Sequence, residues 1–258
     1  MTELQAIILG FIEGITEFLP ISSTGHMILA DAIMNIHDRQ FTKTFEIAIQ
    51  FAAILAVVVI YLRKFFQSAT LYFKLSVAFI PTGIIGFFLH KYVKALLFNP
   101  LSVSIALIVG GAILIILNRF IEEKESAVSG VEDISFRDAA IIGFFQSLSI
   151  IPGVSRSAAT IVGGVFAGFN KEKAIEFSFL LAVPTMFVAT SYDLFKSRSE
   201  LQMMHLAPLL WGAASSFISA YLAIQFFLKF VNFLEFKYFG YYRIIFGGFC
   251  MALALVYR

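Results

Sequence analysis

The chain alternates between long apolar segments and short polar connections. Six of the apolar segments are uninterrupted and long enough to cross a bilayer as helices, which takes about 17–25 residues each. These six segments are 45–62, 71–89, 101–117, 174–192, 206–228 and 241–257. The pattern predicts an all-α integral membrane protein whose residues 1–258 form a single membrane domain.

Two further apolar stretches, 3–34 and 138–168, are interrupted near their middle by proline, glycine and hydroxyl residues. In lipid, irregular backbone is tolerated only where it is buried in protein or lines a wet cavity. We therefore predict that each stretch is a re-entrant helical hairpin, which enters the membrane, turns at the break and leaves by the same side. The expected fold is six transmembrane helices plus these two hairpins.

A long polar connection divides the chain into two related halves, about 1–125 and 135–258. Ser22 precedes Ser155 by 133 residues, and other pairs match in the same order at a nearly constant offset. The other pairs are Gly10 with Gly143, Glu13 with Gln146, Glu46 with Glu176, and Gly110 with Gly247. Three spans and one hairpin in each half turn the second half upside down, which predicts an inverted-topology repeat whose hairpins meet near the membrane centre.

Composition agrees with placement in a membrane, because 59% of the residues are hydrophobic and 14% are charged, against about 25% charged in soluble domains. The net charge of +2 is too small to suggest a nucleic-acid partner. Lysine and arginine, Arg243 included, are more frequent in the connections near 63–74, 119–137, 171–173 and 229–243 than on the opposite side. The richer side is expected to be cytoplasmic, so the first hairpin would open outward.

The break in the first hairpin holds an unusual number of polar side chains for an apolar segment. It reads Glu13-Gly-Ile-Thr-Glu17-Phe-Leu-Pro20-Ile-Ser22-Ser23-Thr24-Gly-His26. The two carboxylates are four residues apart and share one helix face, and Pro20 ends that helix. Hydroxyl groups close to the imidazole suggest a Ser–His couple. The alternative is a histidine that only caps a helix or satisfies a hydrogen bond in the core.

The second hairpin carries an arginine inside an apolar segment. It reads Gln146, and then Pro152-Gly-Val-Ser155-Arg156-Ser157-Ala-Ala-Thr160. Such an arginine costs about 2.5–3.5 kcal/mol on insertion scales, so a function is expected for it. The planar guanidinium of Arg156 suits phosphate oxygens, and the N–H groups of the following helix start add to the attraction. The alternative is that Arg156 only pairs with Glu13 or Glu17 and locks the hairpins together.

Two acids, an imidazole, several hydroxyls and a fixed cation form the set of groups that phosphoryl transfer needs. Glu46 and Gln50, four residues apart, are weaker candidates for the same cavity, and a helix-start charge is the alternative for Glu46. The rival function is a transporter or flippase of a lipid phosphate, because broken helices that meet near the membrane centre are also a transporter architecture. Carboxylates next to Ser23 and His26 favour catalysis.

Both motifs, in this order and at this separation, resemble those of the undecaprenyl-diphosphate phosphatase family, also known as the bacitracin-resistance proteins. The resemblance extends over essentially the whole chain, with one departure at Ala158, where the family usually has glycine. The type 2 phosphatidic acid phosphatases use a further histidine shortly after their Ser-Arg pair. This sequence has no histidine between Arg156 and His205, which excludes that superfamily.

The resemblance implies hydrolysis of undecaprenyl diphosphate to undecaprenyl phosphate in the bacterial plasma membrane. This reaction recycles the lipid carrier of peptidoglycan synthesis and gives bacitracin resistance. The Lys/Arg distribution predicts that the site opens to the periplasmic face. The implied partners are the lipid substrate and the membrane, with a homo-oligomer left open.

The resemblance also implies roles for individual residues. Glu13 and Glu17 would bind a divalent cation, Mg²⁺ or Ca²⁺, or handle protons, and no organic cofactor is expected. Ser23 would be the nucleophile and His26 its base, with attack by His26 itself or by water left open. Arg156 would hold the diphosphate, assisted by polar side chains around it. The assisting residues are Ser22, Thr24, Gln146, Ser155, Ser157 and Thr160.

Overall fold

The computed structural model describes residues 1–36, 40–67, 69–97, 99–121, 130–197, 206–231 and 233–256. Within these ranges all regular structure is helical, which confirms the all-α class. The helices are α1 (Glu3–Phe18), α2 (Ser23–Met34), α3 (Gln40–Ile60), α4 (Leu62–Gln67), α5 (Ala69–Leu97), α6 (Pro100–Ile121), α7 (Phe136–Ser147), α8 (Arg156–Phe166), α9 (Lys171–Lys196), α10 (Leu206–Phe230) and α11 (Phe236–Val256). Two single-turn 3₁₀ helices cover Val131–Asp133 and Leu148–Ile150.

Six of the described helices have the length and apolarity to cross a membrane, and they are α3, α5, α6, α9, α10 and α11. This confirms the six predicted spans. Pro81 lies inside α5 and Pro184 inside α9 without ending either helix. Part of the polar connection between the two halves, residues 122–129, lies outside the described residues.

The assignment of Arg243 to a polar connection is wrong. Helix α11 begins at Phe236, and Arg243 is 0% exposed inside it. Its guanidinium donates to backbone carbonyls within the protein, and these supply the polar surroundings that a connection would have obtained from water. Arg243 therefore does not belong in the count of cytoplasmic charges.

Both predicted helix breaks are present. Helix α1 ends at Phe18, two residues before Pro20, and α2 starts after Ser22, whose φ is 72°. Helix α8 likewise starts after Ser155, whose φ is 73°. Positive φ is uncommon for a residue other than glycine, so the two breaks share a distinctive backbone geometry. The path of each hairpin relative to the bilayer, and the inverted repeat, stay predictions.

The first helix of each hairpin packs closely on one spanning helix, α1 on α10 and α7 on α5. A Cβ atom added to Gly10 would collide with the carbonyl oxygen of Gly212, and one added to Gly143 would collide with that of Ala78. Small residues at such crossings let helix backbones approach each other, which is how membrane helices associate. The hairpins are therefore held against the spans by close backbone contact.

The end of α1 is fixed in the core by an aromatic contact. Phe18 is 1% exposed and packs edge-to-face on Phe179 of α9, with ring centroids 5.6 Å apart. Edge-to-face pairs of this kind add about 0.5–1.5 kcal/mol beyond their burial. The contact places the first break beside the middle of α9.

Replacement of Gly10 by alanine is expected to lower the thermal stability, because the new methyl group meets the α10 backbone. Overpacking costs about 1–3 kcal/mol, which outweighs the roughly 0.5–1 kcal/mol that alanine normally adds in a helix interior. Thermal unfolding in detergent measures the effect. The matched control is Gly248→Ala, where the added atom has no neighbour within 4 Å among the described residues. An equal fall in Tm for both variants would contradict the close approach.

Candidate active site

The structure brings the two interrupted stretches together in one polar cavity of about 160 Å³. Both hairpins contribute to its lining, and α3 and α9 complete it. The lining residues are Glu17, Ser22, Ser23, Thr24, Gln50, Ser149, Gly153, Ser155, Arg156 and Met186. Residues more than 130 positions apart in sequence therefore share one site, as Glu17 and Arg156 do across 139 positions.

Arg156 and Glu17 form the contact between the hairpins inside the cavity. Arg156 Nη2 lies 3.5 Å from Glu17 Oε1, and each side chain is 9% exposed. Arg156 Nη1 donates to the carbonyl oxygen of Ser178 at 3.0 Å, and the guanidinium carbon lies 5.7 Å from the ring centroid of Phe18. Because 3.5 Å is long for a hydrogen bond, the guanidinium keeps the capacity to bind a closer anion.

Ser23 is hydrogen-bonded to the second oxygen of the same carboxylate. Its hydroxyl donates to Glu17 Oε2 at 2.5 Å, so Glu17 contacts Ser23 with one oxygen and Arg156 with the other. A carboxylate at this distance from a hydroxyl is placed to accept its proton. The group beside Ser23 is thus an acid from the preceding helix.

His26 has other partners, so the suggested Ser–His couple is not the observed pairing. Its Nδ1 lies 2.8 Å from the carbonyl oxygen of Ser22, and its Nε2 lies 2.6 Å from the hydroxyl of Tyr242. A carbonyl oxygen only accepts, so the geometry assigns a proton to Nδ1, and in the neutral imidazole Nε2 then accepts from the Tyr242 hydroxyl. The ring is also stacked on Phe246, with centroids 4.2 Å apart. A catalytic role for His26 stays a prediction.

The remaining polar residues of the second hairpin mostly hold the structure together. Ser157 is 0% exposed and donates to the carbonyl oxygen of Leu19 at 2.8 Å, which ties the second break to the first. Thr160 is 1% exposed and donates to Ser178 Oγ at 2.6 Å. Ser155 lines the cavity and lies 3.0 Å from the Ser157 hydroxyl.

Gln146 lies away from the cavity lining. It is 0% exposed, donates to Thr82 at 2.9 Å and accepts from Thr185 at 3.2 Å. These bonds join α7 to α5 and α9. The structure therefore places Gln146 as a buried connection between helices, and its predicted contact with substrate stays a prediction.

Glu13 is 0% exposed, and neither carboxylate oxygen has a hydrogen-bond partner among the described residues. Glu17, Glu46 and Arg156 lie close enough to interact with its charge. A buried carboxylate without a partner is costly, so this one either takes up a proton or holds a cation. In the described part of the chain, no three His, Cys, Asp or Glu side chains form a metal-binding group by themselves.

Comparisons with known proteins match nearly the whole chain. A family profile described as "Bacitracin resistance protein BacA" matches residues 6–249. The undecaprenyl-diphosphatase of Wolinella succinogenes is 50% identical over 243 residues, which cover 94% of this chain and 94% of the relative. That of Campylobacter jejuni is 50% identical over 248 residues, covering 96% and 92%. That of Aquifex aeolicus is 48% identical over 248 residues, covering 96% of each. The chain belongs to the bacitracin resistance protein BacA family.

Two residues of this BacA family member that contact the interrupted stretches lie on α11 and are missed by the sequence reasoning. Tyr242 bonds to His26 across 216 positions, and nothing in the local sequence distinguishes it from the other aromatic residues. Arg243 could have been identified from the sequence, because it is an arginine next to an apolar run, the same feature that singles out Arg156. Its position at the end of the polar stretch 229–243 instead indicates a connection.

Tyr242→Phe tests the assigned tautomer of His26, because it removes the hydroxyl and keeps the ring. We expect the Nε2 resonance of His26 to move downfield while Nδ1 stays nearly unchanged, since only the Nε2 hydrogen bond is lost. Nitrogen NMR on histidine-labelled protein in nanodiscs measures both. The neighbouring variant Tyr241→Phe is the control. An Nε2 resonance that is the same in both variants would refute the assignment.

Proposed function

We propose that this chain is an undecaprenyl-diphosphatase, which hydrolyses undecaprenyl diphosphate to undecaprenyl phosphate and inorganic phosphate. This reaction recycles the lipid carrier for peptidoglycan synthesis and gives bacitracin resistance. The observation that carries the proposal is the meeting of Arg156 with the Glu17–Ser23 pair in one cavity. An anion-binding group and a hydroxyl beside a proton acceptor are what attack on a phosphoryl group requires.

Arg156 holds the oxygens of the terminal phosphate in this proposal. Its guanidinium already lies at the cavity wall, and a phosphate oxygen is a closer and more highly charged acceptor than Glu17 at 3.5 Å. Ser22, Thr24 and Ser155 also line the cavity and can donate to the same anion. The start of α8 adds backbone N–H groups.

Ser23 attacks the terminal phosphorus, and its proton passes to Glu17 Oε2. The new bond joins Ser23 Oγ to phosphorus, while the bond from phosphorus to the bridging oxygen breaks. Undecaprenyl phosphate leaves and takes the proton from Glu17. Water then cleaves the phosphoserine, which restores the Ser23 hydroxyl and releases inorganic phosphate. The 2.5 Å contact supports Glu17 as the base in place of His26.

A divalent cation, Mg²⁺ or Ca²⁺, is part of the proposal. The residues fit such an ion, because the buried oxygens of Glu13 have no hydrogen-bond partner in the described ranges and Glu17 lies one helical turn away. Mg²⁺ is commonly bound by one or two carboxylates together with substrate phosphates. Glu13 and Glu17 would hold the ion, which would neutralise charge on the diphosphate.

The proposed location is the bacterial plasma membrane, with the cavity open to the periplasmic face. Six apolar helices make the chain a multi-pass membrane protein, and the Lys/Arg bias keeps its direction after Arg243 is removed from the count. The inverted repeat is proposed with it. It is supported by the similar φ values of Ser22 and Ser155 and by the packing of α1 on α10 and of α7 on α5.

The lipid nature of the substrate explains why the cavity lies inside a membrane protein. The diphosphate can reach the cavity while the apolar chain stays among the helices and lipid. A homo-oligomer stays a prediction. The relatives compared above are named as hydrolases, and no observation favours the transporter.

The purified protein in detergent is expected to release phosphate from undecaprenyl diphosphate. Glu17→Gln, Ser23→Ala and Arg156→Ala should each lower kcat by about a hundredfold or more, since each removes a proton acceptor, nucleophile or charge clamp. His26→Ala should have a smaller effect, because the Glu17–Ser23 pair remains. Malachite green detection of phosphate measures the rates.

Matched controls are available on the exposed surface. Glu3→Gln, Ser76→Ala and Arg137→Ala make similar chemical changes at exposed positions and should keep wild-type rates. Wild-type protein that folds but releases no phosphate would overturn the proposed function. Full activity in all of Glu17→Gln, Ser23→Ala and Arg156→Ala would show that hydrolysis does not take place at the proposed site.

The cation proposal predicts that chelation abolishes hydrolysis and that added Mg²⁺ restores it. Glu13→Gln keeps the side-chain size and removes the charge, so half-maximal activity should need at least about tenfold more Mg²⁺. Electron paramagnetic resonance of Mn²⁺ provides a binding measurement that is independent of activity, and Glu3→Gln serves as the control. Unaltered Mn²⁺ binding in Glu13→Gln would rule out Glu13 as a ligand.

A further inference from the structure

One arginine, Arg243, connects the backbones of the two helix breaks. Its Nη1 donates to the carbonyl oxygen of Pro20 at 3.2 Å, and its Nη2 donates to that of Gly153 at 2.9 Å. Pro20 lies three residues before Ser23, and Gly153 lies three residues before Arg156. A single guanidinium therefore bonds to both turns. In each turn the bonded carbonyl lies three residues before a residue with a proposed role in the reaction.

The same side chain is anchored to a spanning helix. Arg243 Nε donates to the carbonyl oxygen of Leu107 at 3.3 Å, and Nη2 also reaches that of Ala106 at 3.3 Å. Both carbonyls belong to α6, which packs against α11. The two turns are thus fixed relative to α6 and α11 as well as to each other.

All four of these acceptors are carbonyl oxygens, and Arg243 is 0% exposed. A buried charge that only satisfied helix carbonyls would be a costly way to stabilise the bundle. Arginine alone presents five donors in a rigid fork, so it can bond several backbones in fixed directions. Lysine has three donors on one nitrogen and cannot span the same set.

The neighbouring helix leaves space for the guanidinium. A Cβ atom added to Gly110 of α6 would collide with the terminal nitrogen and carbon of the Arg243 side chain. Gly110 thus provides a way to displace the guanidinium without removing it. This gives a second perturbation of the same contact.

We propose that Arg243 is a positioning residue, which sets the relative placement of the two turns and thereby aligns Ser23 with the phosphate that Arg156 binds. The expected effect of Arg243 on catalysis rests on the proposed function. Arg243 does not line the described cavity, so it acts through the carbonyls of Pro20 and Gly153. Misplacement of reacting groups by about 1 Å can cost a hundredfold in rate.

The kinetic test compares Arg243→Met, Arg243→Lys and Gly110→Ala with wild type. We expect kcat per folded molecule to fall about a hundredfold in Arg243→Met and less in Arg243→Lys, which retains some donors. KM should change much less, because Arg156 is still present. Gly110→Ala should lower kcat in the same direction, and Gly248→Ala is the control.

A double-mutant cycle distinguishes positioning from stability. If Arg243 aligns the groups that Arg156 serves, Arg156→Lys and Arg243→Lys together should lose less than the product of their separate losses. Purely structural damage would lower Tm and the folded yield while kcat of the folded fraction stayed constant. That result in Arg243→Met and Gly110→Ala would overturn the proposal.

A cross-linking measurement tests the placement without any hydrolysis. Thr24 and Ser149 line the cavity from different hairpins, so cysteines at these two positions in a Cys250→Ser background should react with a short bifunctional reagent. We expect the yield to fall when Arg243→Met or Gly110→Ala is added and to stay constant with Gly248→Ala. Unchanged cross-linking yields in both Arg243→Met and Gly110→Ala would refute the positioning role. A wild-type protein that is inactive but cross-links as expected would refute only the proposed function. Should Arg243→Met fail to fold, Gly110→Ala decides.

Discussion

Interrupted helices inside an apolar protein leave backbone carbonyls that lipid cannot satisfy, and this constraint shapes the centre of the molecule. The structure meets it with buried side chains. Ser157 donates to the carbonyl of Leu19 at the first break, and Arg243 donates to those of Pro20 and Gly153. The same bonds that satisfy the loose backbone also hold the two breaks side by side. The bonds that satisfy the interrupted backbone are therefore also the bonds that bring the two sides of the cavity together.

The polar groups in the cavity are organised around one carboxylate. Glu17 contacts the Ser23 hydroxyl with one oxygen and the Arg156 guanidinium with the other. A carboxylate shared in this way is oriented by both partners, so that one oxygen faces the hydroxyl and the other faces the guanidinium. An anion that binds the Arg156 guanidinium would take over one of the two contacts that hold the Glu17 carboxylate. Glu17 therefore links the proposed anion-binding group, Arg156, to the proposed nucleophile, Ser23.

Much of the fold and part of the site follow from the sequence. Apolar length alone predicts the six spans, and Pro20 together with the Ser-Arg-Ser run predicts the two breaks. The partners of His26 could not be predicted, because Tyr242 is fixed by tertiary packing across 216 positions. The partners of Gln146 could not be predicted for a related reason, because Thr82 and Thr185, which its amide bonds, lie on other helices. The assignment of Arg243 to a connection is wrong because a charged residue at the edge of an apolar run ordinarily marks the end of a membrane-spanning segment.

The positive φ angles of Ser22 and Ser155 have a consequence for how stability is distributed in the molecule. Sparsely populated backbone conformations of this kind cost about 1–3 kcal/mol each, and glycine would relieve most of that cost. Glycine would also delete two hydroxyl groups that line the cavity. The chain therefore carries a local conformational penalty at the two turns that line its polar cavity. Thermostable variants obtained by relaxing those turns would lose hydroxyl oxygens from the cavity wall.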